Sequence, residues 1–151
     1  MVSKQAEIIF GRFYVIRCIV RVSDTFLMQF MYYARGMNFN DMLKLQWDNI
    51  QNNGITYKRS KNKRSYNFEL HPKAIRVINT FRTYHLQSDA GYVFPFISKE
   101  HYTAKKIDAR IDSALKDFNE DSKAMAEAIG WEKQFTSNSL RHGFASHSKW
   151  G

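Results

Sequence analysis

Apolar positions recur along the chain at two spacings, and the switch between them divides it into elements. Ser23-Asp24 offers a helix N-cap. The stretch that follows to Gly36 is apolar on two faces, with Phe26, Phe30 and Tyr33 on one and Leu27, Met31 and Ala34 on the next. Two apolar faces predict a helix buried in the middle of a core. A second helix is expected from about Phe39, with Met42, Leu43, Leu45 and Trp47 as contacts, Asp41 early, and a turn at Asn52-Asn53-Gly54. The period then falls to two: Ile55 and Tyr57, then Tyr66, Phe68 and Leu70, alternate with polar residues, which predicts a hairpin. Pro72 suits the first turn of a third helix carrying Ala74, Val77, Ile78, Phe81 and Tyr84. Residues 92–96 read as a short extended apolar piece. Ile107, Ile111, Ala114, Leu115 and Phe118 mark an amphipathic helix, which Met125 and Ile129 begin to repeat before Gly130. Thr136 or Ser137 caps a last helix with Leu140, Arg141, His142, Phe144 and His147. The expected class is α+β, mainly helical with a small antiparallel hairpin or sheet.

Length and composition narrow the picture. At 151 residues the chain suits one domain. It is read as residues 23–151, with a helical segment in residues 1–22 packing on it through Ile8, Ile9, Phe10, Phe13 and Ile16. The one cysteine, Cys18, excludes a disulfide framework and a cysteine-based zinc site. No apolar run approaches the ~18 residues of a membrane span, and the N-terminus lacks secretory signal regions. A soluble, cytoplasmic protein is expected. Lys and Arg total 23 against 14 acids, a net charge of +9. A domain this basic commonly meets a polyanion.

The charge is concentrated. Lys58, Arg59, Lys61, Lys63 and Arg64 put five cations into seven residues with no acid among them. On a hairpin they form a basic finger able to lie against a phosphate backbone. Metal chemistry finds little equipment, because His142 and His147 are five apart rather than the four that joins two imidazoles on a helix face. Asp108 and Asp112 read as a solvated helix face. There is no phosphate-cradling glycine loop and no G-x-S-x-G nucleophile elbow. What remains are Arg35, Lys61 and Arg141, from three distant segments. Together they could converge on one phosphate, since arginine binds it in two-pronged fashion with a permanent charge.

In order and spacing, four segments resemble the catalytic domain of the tyrosine recombinases, or phage-type integrases. Residues 24–50, with Arg35-Gly36-Met37, Asp41, Leu45 and Trp47, resemble the block R-G-M … D-(I/M)-x-x-L-x-W-x-D-I. Residues 55–70 are similar to the hairpin that carries the family's lysine, and residues 92–95 to a short block after it. Residues 136–147 resemble T-x-H-x-x-R-H-x-F-A-(S/T)-H. The resemblance spans roughly residues 23–150. It implies that Arg141 is the second catalytic arginine and that Lys61, with Lys63 as a near alternative, protonates the leaving 5′ oxygen. Arg35 is the candidate for the first arginine. The commoner pattern places that residue three before the acid, at Asn38, and Arg35 lies one turn earlier, from where a helix would carry it to the same region. Asp41 would buttress the site. Asn138 stands where the family has its first histidine; it can hydrogen-bond a phosphate but cannot titrate near neutral pH.

The implied activity is cutting and rejoining of double-stranded DNA by tyrosine transesterification, without metal, nucleotide or other cofactor. The implied parent oligomerises on DNA, with no membrane and no small-molecule substrate involved. DNA contacts are expected from Lys58, Arg59, Lys61, Lys63, Arg64 and His142. All eight tyrosines precede Arg141, whereas the family's nucleophile follows it. The expectation is therefore a fragment that binds DNA but does not cleave it. The alternatives are a non-catalytic DNA-binding module from a degenerate integrase, and a basic protein-interaction domain.

Overall fold

The first helix among the described residues, α1 (Val22–Tyr33), is apolar on both flanks and sits at the centre of the core. Leu27, Met28, Phe30 and Met31 are all buried in it. The computed structural model describes residues 22–83, 88–132 and 136–147, so the expected packing of the N-terminal segment lies outside the described residues. Ser23 and Asp24 already belong to α1 rather than preceding it. Helix α1 packs against α3 (Pro72–Thr83) and α5 (Ser137–His147), and more lightly against α4 (Ala104–Ala128). Edge-to-face rings tie these layers: Phe30 meets Phe94 at 5.2 Å between centroids and Phe94 meets Phe81 at 5.1 Å.

After α1 the chain reverses at Arg35 and Gly36, both left-handed, with φ 58° and 66°. Helix α2 (Phe39–Leu43) is shorter than the apolar spacing predicts. Leu45, instead of continuing it, accepts a hydrogen bond from the Val93 N–H at 2.9 Å, and Gln46 bridges to Tyr92. Tertiary pairing with residues 91–93 thus overrides helical propensity. A short 3-10 turn, Trp47–Asn49, follows.

The sheet has three antiparallel strands in the order β1 (Ile50–Gln51), β2 (Gly54–Lys58) and β3 (Ser65–Glu69). Gln51 pairs with Gly54, so only Asn52 and Asn53 form the first turn, at φ 48° and 63°. Two successive left-handed residues define the turn whose twist matches paired strands, and asparagine tolerates that region. Across β2 and β3 the period-two pattern holds: Ile55 and Phe68 are buried partners, while Thr56 and Asn67 are exposed partners. Tyr57 and Tyr66 stack at 5.4 Å.

Helix α4 is one continuous element. Thr103 caps it, accepting from the Lys106 N–H at 3.2 Å. It ends where Gly130 turns left-handed at φ 75°, with Gly130 N–H bonded to Glu127 O and Trp131 N–H to Ala126 O, a Schellman closure. With five helices and one small sheet among the described residues, the fold is α+β.

Candidate functional site

Helix α2 and the hairpin are joined by one buried carboxylate. Asn38 starts α2 as its N-cap, its Oδ1 accepting from the Asn40 N–H at 2.9 Å. This sets Asp41 in the first turn, where the helix dipole favours an anion. Asp41 is only 6% exposed, and its Oδ1 accepts the Ser60 N–H at 2.9 Å. A buried carboxylate must be hydrogen-bonded to be tolerable, so this bond fixes the base of the finger. The tip is closed by backbone: Arg59 N–H bonds to Arg64 O and Lys63 N–H to Arg59 O, both at 2.9 Å. Lys63 turns left-handed at φ 56°, and Asn62 Oδ1 accepts from the Arg64 N–H at 3.1 Å. Lys61 and Lys63 are left exposed.

Opposite the finger, Thr136 opens α5. Its Oγ1 accepts from the Ser139 N–H at 3.4 Å, and Ser139 Oγ accepts from the Thr136 N–H at 3.2 Å. The helix then presents Asn138 and Arg141, three residues apart, on one face. Lys61, Asn138 and Arg141 line one cleft of about 760 Å³, together with Arg59 and Lys63. Asn38, Asn40, Asp41 and Lys44 line it from α2, and Asp108 and Asp112 from α4. Lys44 Nζ pairs with Asp108 Oδ1 at 3.0 Å. Asp108 and Asp112 are exposed, as a solvated face requires, but that face borders the cleft.

Arg35 does not line this cleft. It lines a separate recess with Tyr33, Glu69, Leu70, His71 and Pro72, its guanidinium 4.8 Å from the centre of the Phe68 ring. The expected one-turn geometry fails because Arg35 is left-handed and α1 has already ended, so Arg35 and Asp41 share no helix. Asn38, three residues before Asp41, is the residue of that segment in the cleft. Lys58, Arg64 and His142 are exposed and lie outside the cleft lining. Sequence reasoning had named Asn38 only as an alignment position; its cap spacing to Asn40 was the available structural signal. The place of Asp112 was signalled only by its i, i+4 relation to Asp108.

One tyrosine feels the cleft. Burial pushes the Tyr57 phenol up from 10.0 to about 12; the Asp41 carboxylate and Tyr66 add to the rise, and the Arg59 and Arg141 guanidiniums oppose it. The folded value exceeds the unfolded one, so the phenol's contribution to stability is whole below pH 10 and is lost as pH rises through about 12. An absorbance-monitored alkaline titration is expected to show one late-ionising phenol that Tyr57→Phe removes. Loss of stability across that window should be shallower in the variant.

The arrangement suits a phosphodiester: a half-buried guanidinium, an exposed ammonium and a neutral amide line the cleft from two sides. Among the described residues no group of three or more His, Cys, Asp or Glu gathers as a metal site. No described helix is long and apolar enough to cross a membrane. Neither the curated proteins nor the solved structures yield a match to the chain. The model of the phage integrase family matches residues 16–148, nearly the whole chain and all four of the segments that carry the resemblance, and the chain belongs to that family.

Proposed function

We propose that this chain is the phosphate-gripping part of a site-specific DNA recombinase with the tyrosine-recombinase catalytic fold. One observation carries the reading: Lys61 on the finger and Arg141 on α5 line the same cleft. Arg141 holds two non-bridging oxygens of the scissile phosphate, and Asn138 donates a third hydrogen bond from its amide. Lys61, with Lys63 beside it, is placed to protonate the leaving 5′ oxygen. As charge builds on the phosphorus centre, these donors stabilise it. Arg59, Lys63, Lys58, Arg64 and His142 extend the contact along double-stranded DNA. Arg35 acts from the flank: stacked on Phe68, it steadies β3 and offers a further backbone contact. The parent protein would assemble on DNA in the cytoplasm.

The 151-residue chain binds DNA without cutting it. No described tyrosine lines the cleft, and Tyr57, which feels Arg141, is held in its neutral, weakly nucleophilic form. The second reading, a non-catalytic DNA-binding module, draws on the amides at Asn38 and Asn138. The expected result with a nicked suicide duplex is salt-sensitive binding by fluorescence anisotropy and no covalent adduct on a denaturing gel. A protein–DNA adduct would overturn the inactivity; a lack of binding at low salt would overturn the phosphate reading.

A further inference from the structure

Beside the cleft lies a second, more enclosed recess of about 240 Å³. The two share Asn38, Asn40, Asp112, Asn138 and Arg141. The recess adds its own apolar lining, Met31, Phe39, Ile111 and Leu115, with Asn119 at the rim. An apolar lining with a few convergent polar groups is the anatomy of a ligand site. Its size falls below the ~300–1,000 Å³ that drug-sized ligands occupy, so it admits one flat ring system and no more.

The polar groups are of a particular kind. Five cations line the cleft, whereas the polar wall of this recess holds four asparagine amides and the Asp112 carboxylate beside a single cation, Arg141. Amides and carboxylates are the groups that pair with base edges, asparagine with adenine and aspartate with a cytosine amine. Asn40 Oδ1 is buried and has no hydrogen-bond partner. Such an acceptor is costly to leave empty, and an N–H from a ring amine would satisfy it. Asn119, whose Oδ1 accepts the Ser137 N–H at 3.2 Å, brings an amide Nδ2 donor to the same wall. A phosphate and its base are separated by one sugar, and the two recesses are adjacent, with a common wall.

We infer that this recess receives an extruded nucleobase bearing an exocyclic amine, from a nucleotide whose phosphate is held in the cleft. The inference rests on the phosphate reading above. Extrusion costs least where the base is already mispaired, so a mismatch should strengthen binding.

The test uses the whole chain and two otherwise identical duplexes, each with one 2-aminopurine, an amine-bearing fluorescent base, either paired with thymine or mispaired. A distal dye reports binding by anisotropy, and 2-aminopurine emission reports unstacking. The mismatched duplex is expected to bind about tenfold tighter than the paired one, with emission rising on binding. Leu115→Phe fills the recess from α4 and should abolish both the preference and the rise. Asn119→Gln fills it from the rim and guards against a folding failure of the first variant, while Leu115→Met should retain both effects. Each variant's affinity for the paired duplex is its internal reference. Equal affinities with unchanged emission, while anisotropy still shows binding, would overturn the base site alone. Survival of the preference in both filled variants would also overturn it. No binding to either duplex would overturn the phosphate reading and this inference with it.

Discussion

Arg141→Ala is expected to cost about 1.5–3 kcal/mol of DNA affinity, the worth of hydrogen bonds to a charged group, or more than tenfold in dissociation constant. The loss should fall on all sequences alike, because phosphate contacts position the duplex without reading it. Salt titrations separate charge from geometry. Each cation removed from a phosphate should lower the log–log salt slope by roughly 0.9, so Arg141→Ala and Lys61→Ala each flatten the line and the double variant flattens it further. Arg141→Lys keeps the charge and therefore the slope, but it loses the two-pronged geometry and should bind more weakly than the wild type. A full rescue by lysine would reduce Arg141 to a point charge. Unchanged slopes in both alanine variants would place the DNA elsewhere on the molecule.

The largest effect on stability is expected at Phe94. Its ring is fully buried and meets both Phe30 and Phe81 edge to face. Phe94→Ala removes a large side chain from a junction between α1, α3 and the segment after the Tyr92 bridge. Truncations of this kind cost about 3–5 kcal/mol, against a total stability of about 5–15 kcal/mol for a domain. Chemical denaturation should show the midpoint falling with an unchanged slope, and the variant should approach the threshold of unfolding at body temperature. A loss below about 1 kcal/mol would mean that the surrounding rings collapse into the space. Phe94→Leu, which keeps most of the volume, should lose less.

The elements that were legible from sequence are those whose spacing is set locally. The two-faced α1, the period-two strands of the finger and the stop at Gly130 follow from side-chain periodicity and from glycine's access to positive φ. The end of α2 did not follow, because Leu45 is drawn into pairing with residues 91–93, a contact far along the chain. Strand β1 is two residues long and exists only because Asn52 and Asn53 both accept a left-handed backbone. In the cleft, Lys61, Asn138 and Arg141, which the resemblance singles out, line one wall-to-wall opening. Arg35 was carried by an argument that assumed an unbroken helix, and two consecutive left-handed residues remove that premise. The second recess had no signature at all, since four asparagines from three separate segments share no spacing.

The bond between Asp41 and Ser60 has a mechanical corollary. It clamps the root of the finger to the helix whose cap, Asn38, lines the cleft together with Arg141. The finger is thereby riveted to that helix at a buried carboxylate, and how far its root stands from α2 is a property of the protein at rest, like one arm of a calliper locked before use. Only the exposed tip, with Lys61 and Lys63, stands beyond the rivet.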